Sequence, residues 1–207
     1  MTVQSEYQLE NELISQLKQL GYASVTLKDE SQLLSNLKTQ IERANGLAPL
    51  SDTEWKQVIS FLNTGTVFER AKNLRDLFPV KFDDGTSKHI FFLSDDPSKN
   101  VYQVTNQITV DHRDFNGRTS RFDVTLLVNG LPLVQIELKK RGMEIAEAFN
   151  QTLRYTREAY WAGQGLFSFI QLFIISNGVN TRYYSNGTQH IDFSFPWADV
   201  NNKNINV

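Results

Sequence analysis

The stretch RFDVTLLVNGLPLVQIELKK, residues 121–140, decides the fold. Its two aliphatic runs, Val124 to Val128 and Leu131 to Ile136, flank Asn129-Gly130, a dipeptide typical of the tight turn in a β-hairpin. Because both runs are almost continuously apolar, they predict neighbouring strands that are buried on both faces. Such a hairpin lies inside a sheet with helices packed against it, which indicates an α/β fold.

Three charged residues adjoin these runs: Asp123, Glu137 and Lys139. A charge beside a buried strand is costly unless it is paired or binds a metal, which disfavours the alternative of a solvated strand end. Carboxylates suit Mg²⁺, and Lys139 shares a strand face with Glu137, where an ammonium group can stabilise developing negative charge. The set is typical of metal-dependent phosphodiester hydrolysis.

The turn sets a geometric condition on this cluster. If Asn129-Gly130 forms an ideal two-residue turn, Val128 faces Leu131, and strand parity places Asp123 and Glu137 on opposite sheet faces. A three-residue loop with Gly130 left-handed, or a bulge elsewhere in the hairpin, returns both carboxylates to one face. We therefore expect one of these irregularities. An unbulged two-residue hairpin would argue against a shared metal site.

A helix is predicted from about Glu144 to Trp161, after Gly142 ends the second strand. Gln151 and Tyr155 are one helical turn apart and therefore share a face. An amide and a phenol in this arrangement can contact phosphate or hold a catalytic side chain. The alternative is an ordinary half-buried helix, and the preceding hairpin favours the functional interpretation.

The rest of the chain predicts a mixed central β-sheet flanked by helices. Helices are expected over 7–20, 31–45, 52–63 and 66–77, with a capping box at Ser51-Asp-Thr-Glu54, and strands near 89–93, 103–113, 167–176 and 181–185.

Composition agrees with one large domain, since 207 residues that are 40% hydrophobic can bury a sizeable core. The absence of cysteine excludes disulfides and thiolate zinc sites, and the three histidines lack metal-ligand spacing. No long apolar run or signal-like N-terminus occurs. We therefore expect a cytoplasmic protein with no membrane partner.

A net charge of −2 is unusual for a protein that binds DNA by itself, because phosphate neutralisation supplies much of the affinity. Positive charge must then be concentrated locally, and partners are expected to deliver the DNA. Lys140, Arg141 and Arg154 are the predicted DNA contacts, although solvated charge at element ends is the alternative. A second basic surface could include Arg113, Arg118 and Arg121.

The hairpin resembles the PD-(D/E)xK nuclease superfamily, and Gln-x-x-x-Tyr on the next helix resembles its RecB-like branch. Residues 121–186, which include RFDVTLLVNGLPLVQIELKKRG and EAFNQTLRYTREAYWAGQG, are similar to the N-terminal nuclease domain of the HsdR-type restriction subunit of type I restriction-modification enzymes. The resemblance implies that Asp123, Glu137, Lys139, Gln151 and Tyr155 are catalytic. It also implies that Asp123 and Glu137 bind Mg²⁺, for which Mn²⁺ substitutes.

The resemblance implies a further acidic residue on the first helix near the metal. Glu6 and Glu10 share a helix face that Glu12 does not, so Glu10 is the expected metal ligand and Glu6 the second candidate. The alternative is that these residues only complement the helix dipole.

The resemblance also implies a longer subunit. Residues 1–195 are predicted to form the nuclease domain, with a mostly helical N-terminal region over 1–80 and a catalytic sheet core over 81–195, and residues 196–207 to begin a linker toward motor domains. No Gly-x-x-x-x-Gly-Lys-Ser/Thr motif occurs, so ATP is expected only in a full-length subunit. The implied partners are double-stranded DNA, methylation and specificity subunits, and C-terminal motor domains of the same chain.

Two alternatives to an endonuclease domain remain open from the residues. One is a catalytically silent docking or regulatory module of the same fold, and the other is a RecB-like exonuclease or a junction resolvase. The intact Asp123, Glu137 and Lys139 favour an enzyme, since a silent module need not retain all three.

Overall fold

The computed structural model describes residues 5–112, 118–158 and 165–205. The helices in these ranges are α1 Glu6–Gln19, α2 Glu30–Ala44, α3 Asp52–Leu62, α4 Val67–Asn73 and α5 Ile145–Glu158. The strands are β1 Ala23–Ser24, β2 Phe78–Lys81, β3 Ser87–Ile90, β4 Tyr102–His112, β5 Arg118–Val128, β6 Leu131–Leu138, β7 Leu172–Ser176, β8 Thr181–Ser185 and β9 Phe195–Pro196.

The larger sheet has seven strands in the order β1-β4-β5-β6-β7-β8-β9. The β1–β4 and β6–β7 pairs are parallel, and the other neighbours are antiparallel. Strands β2 and β3 form a separate antiparallel hairpin. The prediction of a mixed sheet flanked by helices is confirmed.

The sheet separates two apolar cores. The larger core packs residues of α2, α3 and α5 against one face, and includes Leu37, Phe122 and Phe173. The smaller core lies beneath α1 and consists of Leu17, Val104, Val124, Leu126, Ile136 and Leu138. Burial on both faces explains why the runs in β5 and β6 are continuously apolar.

Local capping fixes where several helices begin. The predicted capping box at Ser51 is confirmed, because the Glu54 carboxylate accepts the Ser51 N–H at 2.8 Å while the Ser51 hydroxyl accepts the Glu54 N–H at 3.3 Å. Ser5 and Thr66 form the same arrangement at α1 and α4. Such a cap typically contributes about 1 kcal/mol to stability.

Some predicted boundaries are wrong. The helix expected over 66–77 ends at Asn73. Strand β2 begins at Phe78, because a residue preceding a proline is biased toward extended backbone. The strand expected over 167–176 starts only at Leu172, after a 3-10 turn at Leu166–Phe169. An apolar run alone does not distinguish these conformations. The two-residue strand β1 was not predicted.

The segment that follows β8 returns to the sheet edge. Strand β9 pairs with β8, and the Trp197 ring packs edge-on against Tyr183 with centroids 5.8 Å apart. Farther along, Ala198 and Asn204 form an isolated bridge. No helix within the described ranges is both long and apolar enough to cross a bilayer.

Candidate active site

The β5–β6 hairpin combines a two-residue turn with a bulge. Asn129 and Gly130 both have positive φ, at 50° and 82°, and Val128 pairs with Leu131. The register shifts between Leu126 and Leu127, because Leu133 is an extra residue on β6. The expectation of an irregularity is confirmed, and it is the bulge rather than a longer loop.

Two features fix the turn in place. A Cβ on Gly130 would lie 2.7 Å from the Leu37 Cα on α2, so only glycine fits there. The buried Asn129 side chain donates to the Phe92 carbonyl at 2.9 Å and accepts the Val101 N–H at 2.8 Å. The turn is thereby held between α2 and the start of β4.

The bulge brings the two predicted carboxylates together. Val124 pairs with Ile136 at the end of the ladder, and the side chains of the next residues, Asp123 and Glu137, interact with each other. The Leu138 N–H donates to Asp123 Oδ2 at 2.9 Å, and the Gln135 amide donates to Glu137 Oε1 at 3.2 Å. Glu137 is fully buried, and its Oε2 has no hydrogen-bond partner.

This pair is electrostatically strained without a cation. Burial raises the pKa of Glu137 well above its ordinary value, and the neighbouring Asp123 raises it further. Burial also raises the pKa of Asp123, although the Leu138 N–H and the Lys139 ammonium oppose the shift. Burial therefore disfavours the ionised form of both carboxyls.

A chain of hydrogen bonds holds Lys139. Its Nζ donates to Gln151 Oε1 at 2.5 Å, and Gln151 Nε2 donates to the Tyr155 hydroxyl at 2.5 Å. The hydroxyl donates to the Arg121 carbonyl at 2.8 Å, which returns the chain to β5. Burial, followed by the charge of Glu137, raises the pKa of Tyr155, so the phenol stays protonated and remains a donor.

Glu10 lies on α1 and is 4% exposed. Its Oε2 accepts a hydrogen bond from the Gln107 amide at 2.6 Å, and its Oε1 accepts one from Asn106. Its negative charge contributes to the raised pKa of Asp123. The second candidate, Glu6, is exposed and accepts the Lys140 N–H at 3.2 Å.

Strand β4 is distorted beside the site. Gln107 has a φ of 57°, in the left-handed region, although it lies in the middle of a strand. Val104 packs in the core under α1, whereas Ile108 packs in the core on the opposite side of the sheet. The distortion therefore coincides with the place where the strand changes the face that it buries.

The basic residues predicted to contact DNA lie at the surface. Lys140 and Arg141 follow β6 and are exposed, as is Arg154 on α5. The Arg154 guanidinium lies 5.8 Å from the centre of the Tyr155 ring. Of the second basic surface, Arg121 is exposed, whereas Arg113 lies outside the described residues.

The donor set fits a divalent cation. Asp123 and Glu137 interact with each other, and a buried oxygen of Glu137 lacks a hydrogen-bond partner, which is costly unless an ion or proton satisfies it. Within 5–112, 118–158 and 165–205, no three acidic, histidine or cysteine side chains lie close enough together to form a metal-ligand group. Asp123 and Glu137 are a pair of carboxylates that interact directly, and the charge of Glu10 acts on Asp123.

Sequence reasoning missed the polar side chains that support these residues. Gln135 and Thr125 lie within runs that read as apolar, and Asn106 and Gln107 lie on a strand distant in sequence from Glu10. These contacts depend on strand pairing, which the sequence does not give. The one signal in the sequence was Gln135, an amide two residues before Glu137 and therefore on the same strand face.

The fold and these side chains define a class. A seven-stranded mixed sheet flanked by helices, with Asp123, Glu137 and Lys139 interacting on the two strands of a hairpin, is consistent with a PD-(D/E)xK-like nuclease core.

Comparison with known proteins gives the family. Residues 3–190 match the family model described as "Type I restriction enzyme R protein N terminus", and the chain belongs to this family. It is 46% identical over 214 residues to the type I restriction enzyme SauMSSORF170P endonuclease subunit of Staphylococcus aureus strain MSSA476. It is 39% identical over 209 residues to the EcoprrI endonuclease subunit of Escherichia coli.

The extent of these matches differs between the two relatives. All of this chain is covered by the staphylococcal match, but the match spans 22% of that protein. The match to the Escherichia coli protein covers 96% of this chain and 66% of that protein.

Proposed function

We propose that this chain is a metal-dependent endonuclease domain of a type I restriction enzyme R subunit, which hydrolyses phosphodiester bonds of double-stranded DNA. The observation that carries the proposal is the interaction of Asp123 with the fully buried Glu137, whose Oε2 has no hydrogen-bond partner. Burying two carboxylates together is unfavourable for folding, and a divalent cation offsets the cost.

Asp123 and Glu137 would hold the cation, which we take to be Mg²⁺ with Mn²⁺ as a substitute. A bound cation would neutralise phosphate charge and increase the acidity of water. Glu10 is a proposed third ligand, because its negative charge lies near Asp123. Its two amide donors would have to move or share the carboxylate for this role.

Lys139 would act on the phosphate directly. Its ammonium group is held by Gln151, and Tyr155 fixes the Gln151 amide so that the carbonyl oxygen, rather than the NH₂ group, faces Lys139. A positioned ammonium group can orient a water molecule and stabilise negative charge that develops on the phosphate. This explains why Gln and Tyr one helical turn apart are useful here.

Lys140, Arg141 and Arg154 are proposed contacts to the DNA backbone, because they are exposed on elements that carry the site. With a net charge of −2, the domain would rely on other components of the assembly for most of its affinity. The proposed partners are the methylation and specificity subunits and motor domains of the same subunit. ATP would bind to the motor domains.

Calorimetric titration with Mn²⁺ tests the site without requiring the rest of the assembly. We expect saturable binding to the wild type that is lost in Asp123→Ala and Glu137→Ala. Asp76→Ala is the matched control, since Asp76 is an exposed carboxylate outside the site. Equal binding by all four proteins, or none by the wild type, would favour a catalytically silent docking module of the same fold.

A further inference from the structure

A buried polar pair lies beside the two carboxylates. Thr125 and Gln135 are directly opposite each other on β5 and β6, and Gln135 shares a strand face with Glu137. Both side chains are fully buried. A buried amide is costly unless its hydrogen bonds are made, and an aliphatic residue would fit the surrounding core without this requirement.

The amide of Gln135 has all of its donors in use. Nε2 donates to Glu137 Oε1 and to the Ile136 carbonyl, each at 3.2 Å. The Thr125 hydroxyl donates to Gln135 Oε1 at 2.8 Å. The Ile136 carbonyl can only accept, so it fixes the amide orientation in which the NH₂ group faces Glu137, and the Thr125 hydroxyl supplies the donor that Oε1 then needs.

The Gln135 amide determines which oxygen of Glu137 is free to bind a ligand. The bond from Gln135 occupies Oε1 of Glu137 and leaves Oε2 as the oxygen without a partner. A carboxylate held at one oxygen presents the other in a fixed direction, which reduces the reorganisation required when a ligand binds. No charged group is needed for this effect.

We propose that Gln135 is a positioning residue that holds Glu137 in its metal-binding orientation, and that Thr125 orients Gln135. This inference rests on the proposed function, because it assumes that Glu137 binds a divalent cation. Neither residue would touch the metal or the DNA. Groups that orient metal ligands in this way commonly change metal affinity by about 10- to 100-fold.

The test is Mn²⁺ calorimetry on the 207-residue chain and four variants, with thermal melts of the metal-free proteins. Gln135→Met keeps the approximate length but removes the hydrogen bonds, and we expect the Kd to rise about 10- to 100-fold. Thr125→Val keeps the shape but removes the hydroxyl, and we expect a rise of about 5-fold. Thr125→Ser restores the hydroxyl and should restore the wild-type Kd, and Glu137→Ala should abolish binding.

The outcomes separate this inference from the proposed function. Wild-type affinity in both Gln135→Met and Thr125→Val, with binding lost in Glu137→Ala, would overturn the positioning role alone. Binding that is absent in the wild type, or that survives in Glu137→Ala, would overturn the metal site and with it this inference. If Gln135→Met does not fold, the Thr125 pair decides: equal weakening in Val and Ser would overturn the role of the hydroxyl.

Discussion

The two faces of the β5–β6 hairpin come from alternating residues of one short stretch, yet they differ in character. Toward α1 they are aliphatic, whereas the opposite face combines apolar residues of the larger core with buried polar side chains. The aliphatic set is Val124, Leu126, Ile136 and Leu138, and the polar set is Thr125, Gln135 and Glu137. The aliphatic face shows that this hairpin can be stabilised without buried polar groups. The polar face is therefore best explained by chemistry rather than by folding.

Deleting Leu133 should have the largest effect on this contrast. Without the extra residue, a portion of β6 must exchange its faces, so that Glu137 would turn toward the apolar core under α1. We expect the deletion variant to lack a cooperative thermal transition. Leu133→Ala is the matched control, because it shortens the side chain but keeps the residue count. If the deletion variant melts as cooperatively as Leu133→Ala, the bulge does not determine which side of the sheet each β6 side chain faces.

Leu126→Ala tests the aliphatic face alone. Leu126 is 8% exposed and packs beneath α1, so truncation should lower the free energy of unfolding by about 2–4 kcal/mol. Urea unfolding measures this loss. Mn²⁺ affinity of the folded variant should equal that of the wild type, because the side chain points away from the carboxylates. A weakened Kd would mean that the faces are energetically coupled.

Glu137→Gln tests the polar face alone. The substitution removes a buried charge while keeping the shape, so we expect the metal-free protein to gain about 1–3 kcal/mol of stability at neutral pH. Mn²⁺ binding should be lost at the same time. Chemical denaturation of the two proteins measures the difference. Loss of stability in the variant would indicate that Glu137 has a structural role.

The same carboxyl predicts a pH dependence for the metal-free protein. The folded pKa of Glu137 lies above its ordinary value of 4.5, so the folded state keeps a proton that the unfolded chain releases. The resulting stability is fully present below 4.5 and is lost as the pH rises through the folded pKa. Asp123 shifts in the same direction. Denaturation midpoints measured across pH should fall less steeply in Glu137→Gln.

Tyr155→Phe should have the smallest effect on stability. It removes the hydroxyl between Gln151 and the Arg121 carbonyl, and we expect a loss of about 1 kcal/mol. Because the metal ligands are untouched, Mn²⁺ affinity should stay constant, whereas Mn²⁺-dependent plasmid cleavage should slow as Lys139 loses its fixed position. Thr156→Ala, an exchange one residue along the same helix, is the control. A weaker Kd in Tyr155→Phe would place Tyr155 in metal binding instead.

The sequence predicts the hairpin, the mixed sheet and the candidate charged residues, because those signals are local. It does not predict which irregularity aligns Asp123 with Glu137. Asn129-Gly130 satisfies an ideal turn by itself, and nothing in Leu131 to Ile136 marks Leu133 as the extra residue. The sequence also does not predict the amide donors to Glu10, since Gln107 is 97 positions away and contacts α1 only in the folded protein.

The bulge at Leu133 gives this hairpin a structural reading frame with a period of two. Loss or gain of a single codon between Asp123 and Glu137 would move the side chains that follow to the opposite face of the sheet, without altering any later amino acid. Loss or gain of two codons would preserve the frame. Length changes in this segment that keep the site should therefore come in pairs, or together with a second compensating bulge.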